Sequence, residues 1–233
     1  MVYLVIAGVL FGALYGRLPA AVASRVFADE TTPLLTRHDI ARPWSLQEPS
    51  ERRAAVVQVV FAALCGATAA ASGANWVVVG YVWFAGVTLT LTITDMDRKL
   101  IPNRILFPST AVGLGLLAIG ALADGDLSSL PRAVSGGAAY FGFLLLVAVI
   151  ARGGFGLGDV KLAVLLGLFT AYQGWPPLVV AVLGAFVLGG AVSILLLVFR
   201  IKGRKDAIPF GPYLVAAAYI AIAAGTEIAD RYG

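Results

Sequence analysis

Apolar residues run along this chain in long blocks separated by short charged patches. The blocks show neither the 3.6-residue stripe of a half-buried helix nor the strict alternation of a half-buried strand. Eight blocks stand out, at residues 1–16, 55–72, 76–94, 105–123, 132–151, 160–174, 177–199 and 208–226. Crossing a hydrocarbon core about 30 Å thick takes about 20 residues at a helical rise of about 1.5 Å. The first and sixth blocks are the shortest. The pattern predicts an all-α integral membrane protein, a polytopic bundle of about eight transmembrane helices. Its parts would be a first transmembrane helix with a short loop (1–54), a membrane domain (55–226) and a short tail (227–233).

Composition agrees. Hydrophobic residues make up 60% of the 233 and charged ones 13%, with a mean hydropathy of +0.90. A soluble domain carries about a quarter charged residues. Glycine and alanine recur inside the blocks, as they do where membrane helices pack closely. No internal repeat is visible, so a carrier built from two similar halves has no support in the sequence.

The net charge of +4 reads as topology rather than as a nucleic-acid footprint. If the eight blocks cross the bilayer, segments 17–54, 95–104, 152–161 and 200–207 share one side. They hold 15 of the 17 basic residues, leaving only Arg132 and Arg231 opposite. By the positive-inside rule that side is cytoplasmic and both termini face out. Ala21-Val22-Ala23 resembles a signal-peptide cleavage site, but no basic residue precedes the apolar block and Arg17 follows it, so a retained first span is expected. The 17–54 segment carries Pro19, Pro33, Pro43 and Pro49, a density that discourages a long helix. It is expected to be irregular or to hold a short amphipathic surface element.

Cys65, the one cysteine, lies inside an apolar block and reads as a small buried hydrophobe. With only His38 beside it in the inventory, it builds no metal site. Of 13 acidic residues, ten read as solvated loop positions, Asp124 among them. The other three are Asp95, Asp97 and Asp159, at the ends of the third and sixth blocks on the basic side. Ionisable groups at the hydrocarbon edge are functional candidates. Two carboxyls within hydrogen-bond reach do not both ionise readily, so such a pair shares a proton. One member then acts as base toward water and the other as acid, which suffices for peptide hydrolysis without metal or serine. Plainer readings stand beside this: Asp159 as a helix cap, either acid paired with Lys99 or Lys161, and the glycines as turn or close-packing residues.

Taken together, three stretches resemble the type IV prepilin peptidase family. Gly156-Leu157-Gly158-Asp159, continued by Val160-Lys161-Leu162, is similar to its GxGD motif. Asp95-Met96-Asp97, followed by Leu100-Ile101-Pro102-Asn103, resembles its Asp-x-Asp segment. Pro209-Phe210-Gly211-Pro212 looks like its Pro-Phe-Gly-Pro segment, and Gly12-Ala13-Leu14-Tyr15-Gly16-Arg17-Leu18-Pro19 is a fainter echo. GxGD alone is shared with presenilin-like and preflagellin peptidases. The resemblance implies a membrane aspartyl endopeptidase with Asp95 and Asp159 as its catalytic pair. Asp97, Gly156, Gly158, Lys161, Pro209, Phe210, Gly211 and Pro212 would support the site or bind substrate. It implies cleavage of leaders from type IV prepilin or pseudopilin precursors at the cytoplasmic face of a bacterial inner membrane.

Many members of that family carry paired CxxC motifs in the first loop and also methylate the new pilin N-terminus. Residues 17–54 contain no cysteine, so no structural zinc is expected there. S-adenosylmethionine is expected only if methyltransferase activity is present; otherwise the reading needs no cofactor. The rival readings are a small proton-coupled transporter using the same aspartates and a non-catalytic membrane scaffold. Midplane binding sites are usual for carriers, and both acids lie at one edge instead.

Overall fold

The computed structural model describes residues 2–25, 51–72, 75–151, 155–199 and 209–232. Nine helices and no strand occur among the described residues. They are α1 (Val2–Tyr15), α2 (Leu18–Arg25), α3 (Glu51–Ser72), α4 (Val78–Arg98), α5 (Asn103–Asp124), α6 (Ser129–Ile150), α7 (Leu157–Gln173), α8 (Trp175–Val198) and α9 (Gly211–Tyr232). His38, most of the proline-bearing first loop, Arg152, Gly153, Gly154 and the basic segment 200–207 lie outside the described residues.

Each predicted block contains a helix. Among the described residues, five segments are long and apolar enough to cross a bilayer: Val5–Arg25, Val78–Arg98, Asn103–Asp124, Ser129–Ile150 and Trp175–Val198. α3 and α9 contribute the apolar segments Ala55–Ala70 and Gly211–Ala224 within helices of 22 residues, and α7 has 17 residues. This is a multi-pass, all-α membrane protein. Part of the expected irregular loop is helical instead: α2 starts with Pro19 in its first turn, where the missing N–H removes no intrahelical bond. Its Ala20, Ala21 and Ala23 are buried, so it is no surface element.

The chain forms two compact units. The first comprises Met1–Thr94 and Pro102–Leu127. In it α1 lies against α3 through Gly8, Gly12 and Gly16, spaced four apart so that one bare face meets the neighbouring backbone. A Cβ on Gly12 would stand 2.4 Å from Ala62 Cα, and one on Gly16 2.6 Å from Gln58 Cα. Cys65 is fully buried with a free thiol, as expected of a small core residue. α4 and α5 meet where Gly120 passes Val77 and where the Trp83 indole N–H donates to Ser109 O at 3.1 Å. Asp124 is not merely a solvated loop acid. Its two carboxylate oxygens accept the Trp76 and Val77 amides at 2.8 and 3.1 Å, occupying donors that the start of α4 leaves unbonded.

The second unit comprises Asp95–Ile101 and Ser128–Gly233. α7 is its central helix, buried from Leu165 through Tyr172, with α6, α8 and α9 packed on it. Close approach of α6 and α7 depends on glycine: a Cβ on Gly136 would stand 2.1 Å from Ala171 Cβ, and one on Gly167 2.6 Å from Gly136 O. Large apolar side chains such as Leu146, Val149, Val187, Ile194 and Val198 point outward. In water such a surface would aggregate; in a bilayer it faces its own kind of solvent.

Candidate active site

Three segments of the second unit converge on two carboxyl groups. Asp95 lies in the last turn of α4, which continues to Arg98 rather than ending at residue 94 as the hydrophobic pattern predicts. The helix closes with Lys99 N–H donating to Asp95 O at 2.8 Å, and Lys99 itself takes the left-handed conformation, φ 55°. A lysine there carries strain of about 1–2 kcal/mol that a glycine would not. Asp159 is the third residue of α7, whose first turn starts at Leu157 rather than at residue 160. It is therefore not the cap: Gly156 holds that position, with no side-chain capping bond. The carboxyl-bearing residues are only 5% and 8% exposed, for Asp95 and Asp159 respectively.

Gly211 joins them. Its N–H, the first of α9, donates to Asp95 Oδ2 at 3.1 Å. The positive end of a helix thus points at that carboxylate, a favourable place for negative charge. A Cβ on Gly211 would stand 2.7 Å from Asp95 Oδ2 and 3.5 Å from Asp159 Oδ1. The two carboxyl oxygens are therefore no farther apart than the sum of those distances. They share one small space, and only a residue without a side chain leaves it open.

The other motif glycines act by the same physics. A Cβ on Gly156 would stand 2.9 Å from Asp159 Oδ2, and one on Gly158 would stand 3.1 Å from Ile101 Cβ. Each keeps clear a neighbour contributed by one of the other matching stretches or by the aspartate itself. Phe210 packs edge-on to Phe155 and tilted against Phe186, with ring centroids 5.2 and 5.6 Å away. It also covers Gly189 of α8, where a Cβ would stand 2.5 Å from the Phe210 ring. The Phe210 carbonyl accepts the Tyr213 and Leu214 amides and so starts α9. Pro212, the second residue of that helix, needs no amide partner there, and Pro209 precedes it half-buried.

Asp97 and Lys161 are placed differently. Each is two residues past an aspartate of the pair, about 200° around its helix. Asp97 is exposed and Lys161 half-buried. Ile101 and Phe155 belong to stretches that the motifs include, but no pattern singles them out. Phe186 and Gly189 carry no sequence signal, because only the folded chain places α8 beside Phe210. No cluster of three or more metal-ligating side chains occurs among the described residues.

The model of the type IV leader peptidase family matches residues 82–194, which include both aspartates. Over that stretch, just under half of its length, the chain is similar to the type IV leader peptidase family. It is 30% identical over 189 residues to a prepilin leader peptidase/N-methyltransferase of Aeromonas hydrophila, covering 80% of this chain and 63% of that protein. The same name is carried by relatives in Pseudomonas putida (37% over 147 residues, 60% of this chain and 48% of that protein) and in Pseudomonas aeruginosa (33% over 169 residues, 66% and 54%). The chain thus spans about half to under two thirds of the length of these relatives. No solved structure matches it.

Proposed function

We propose that this protein is a membrane aspartyl endopeptidase that removes leader peptides from type IV prepilin or pseudopilin precursors. The observation that carries the reading is the buried pair Asp95 and Asp159, held beside a bare Gly211 amide. The match to the leader peptidase family over residues 82–194 supports the substrate class.

In this mechanism the two carboxyls hold one proton between them, since a second negative charge in the same buried space is unfavourable. The ionised member takes a proton from water as the water attacks the scissile carbonyl. The protonated member gives its proton to the carbonyl oxygen, and the proton then passes to the leaving amine. The Gly211 amide fixes Asp95 while charge moves. The substrate carries its own apolar helix, so it reaches the site sideways through the bilayer. The charge distribution supports a cytoplasmic face for the site, in a bacterial inner membrane: 15 of 17 basic residues fall in the segments on that side.

Methylation of the product is a separate question. The relatives' name includes it, whereas this chain's one cysteine is buried in α3. Our reading is a peptidase acting through two aspartates and water, with S-adenosylmethionine required only for a methyl transfer that the reading does not include.

The test is cleavage of a prepilin in membranes by wild type, Asp95→Asn and Asp159→Asn. Asn keeps the size and loses the exchangeable proton. Each substitution alone should lower the rate by about 10²–10⁴-fold at unchanged protein level. Wild-type cleavage by either variant would remove that residue from the mechanism.

A further inference from the structure

The first unit contains a cavity of about 520 Å³ that the two aspartates do not use. It is walled by α1, α2, α3, α4 and α5, and almost all of its lining is apolar. Along α4 it runs from Val79 to Thr90, and along α5 from Leu116 to Arg104. At the helical rise this is a length of about 17 Å, close to the depth of one leaflet's hydrocarbon, half of about 30 Å. A narrow channel of this length with an apolar lining suits a hydrocarbon chain lying along α4 and α5.

Its two ends differ. Arg104, Leu18 and Pro19 line one end, and Val79 and Leu116 line the other, where the lining has no charge. Phe11, Val79, Trp83 and Val112 line the cavity and keep more than a third of their surface accessible, so the cavity is open rather than sealed. The wall is built by the Gly12–Pro19 stretch, for which the proposed chemistry has no use. Gly12 and Gly16 seat α1 on α3, and Tyr15, Leu18 and Pro19 face the cavity.

We propose that this cavity is a binding site for one phospholipid of the leaflet on the Arg104 side. One acyl chain fills the apolar channel and the anionic phosphate lies at Arg104. The guanidinium suits a phosphate, and the channel length suits one chain of one leaflet. An anionic headgroup such as phosphatidylglycerol is favoured over a zwitterionic one.

The experiment uses the whole chain in detergent micelles, with Trp44, Trp76 and Trp175 replaced by phenylalanine so that Trp83 is the only tryptophan and is excited selectively over the tyrosines. Phosphatidylglycerol brominated on its acyl chains is titrated in, and phosphatidylcholine with the same chains serves as comparison. Quenching of Trp83 should saturate at one phosphatidylglycerol per protein, with an affinity severalfold above that for phosphatidylcholine. Arg104→Gln should remove that preference. Gly86→Leu or Val112→Phe should fill the channel and abolish the saturable phase, circular dichroism confirming an intact helical fold. A Cβ at Gly86 would meet only the Phe61 ring, at 3.5 Å. Quenching that rises linearly with lipid, in wild type as in the filled variants, means ordinary annular contact and overturns the proposal. So does competition by a prepilin helix peptide with no saturable lipid phase.

Discussion

At the scale of single residues, the site is defined as much by missing side chains as by carboxyls. Gly211→Ala would push a methyl group into Asp95 and should lower prepilin cleavage about 10²-fold, the loss expected when reacting groups shift by about 1 Å. Gly156→Ala should act through Asp159 in the same way. Gly115→Ala, where a Cβ meets nothing within 4 Å, should leave the rate unchanged. Equal rates for all three variants would show that the close contacts do not hold the aspartates. The aspartates themselves were legible in the sequence because acids are rare in apolar blocks, and three ordered motifs pointed the same way. What each glycine is for was not legible. A glycine in a motif looks the same whether it supplies a turn, a close helix crossing or, as at Gly211, an amide within reach of a carboxylate. Asp97 and Lys161 carry the opposite lesson: adjacency in a motif does not bring them onto the face that holds Asp95 and Asp159.

At the scale of helices, the ends are set by polar groups that hydropathy does not register. Arg132 is one of the two basic residues that fall outside the four basic segments. Its Nε donates to Ala171 O at 2.8 Å, and its Nη2 donates to Tyr172 O at 2.6 Å and to Ser129 Oγ at 2.9 Å. It binds carbonyls at the end of α7, where a cation also complements the helix dipole. Arg132→Met should lower stability by about 2–3 kcal/mol, the range for hydrogen bonds to a charged group, read as a lower melting temperature in detergent. A melting temperature equal to wild type would show that solvent replaces those bonds. Asp124→Ala removes the cap from the start of α4 and should cost about 1 kcal/mol by the same measurement. Hydrophobic blocks located every described helix except α2, and missed both ends of α4 and the start of α7 by two to four residues. They place α4's end at 94 and α7's start at 160, and so leave Asp95 and Asp159 just outside helices that in fact contain them. The register was hidden because a helix continues past its apolar stretch wherever its last turn finds hydrogen bonds, as α4 does through Lys99.

At the scale of the whole molecule, the charge asymmetry makes a separate prediction about sidedness. Leu100 and Leu127 are both exposed, at opposite ends of α5. A cysteine at Leu127 should react with an impermeant maleimide added to intact spheroplasts, and one at Leu100 only after the membrane is opened. The native Cys65 is buried and should stay silent. Labelling of both from the same side would overturn the proposed orientation. The place of α7 was the least legible, because with 17 residues it owes its position to packing rather than to length. The bond from Gly211 to Asp95 joins residues 116 positions apart, and it orders events in time. The ribosome makes α4 and α7 long before α9, so the pair exists without its fixing amide until the last helix has been inserted. Under the proposed mechanism a nascent chain is thereby kept from cutting, and a product truncated ahead of residue 211 should be an inert membrane protein.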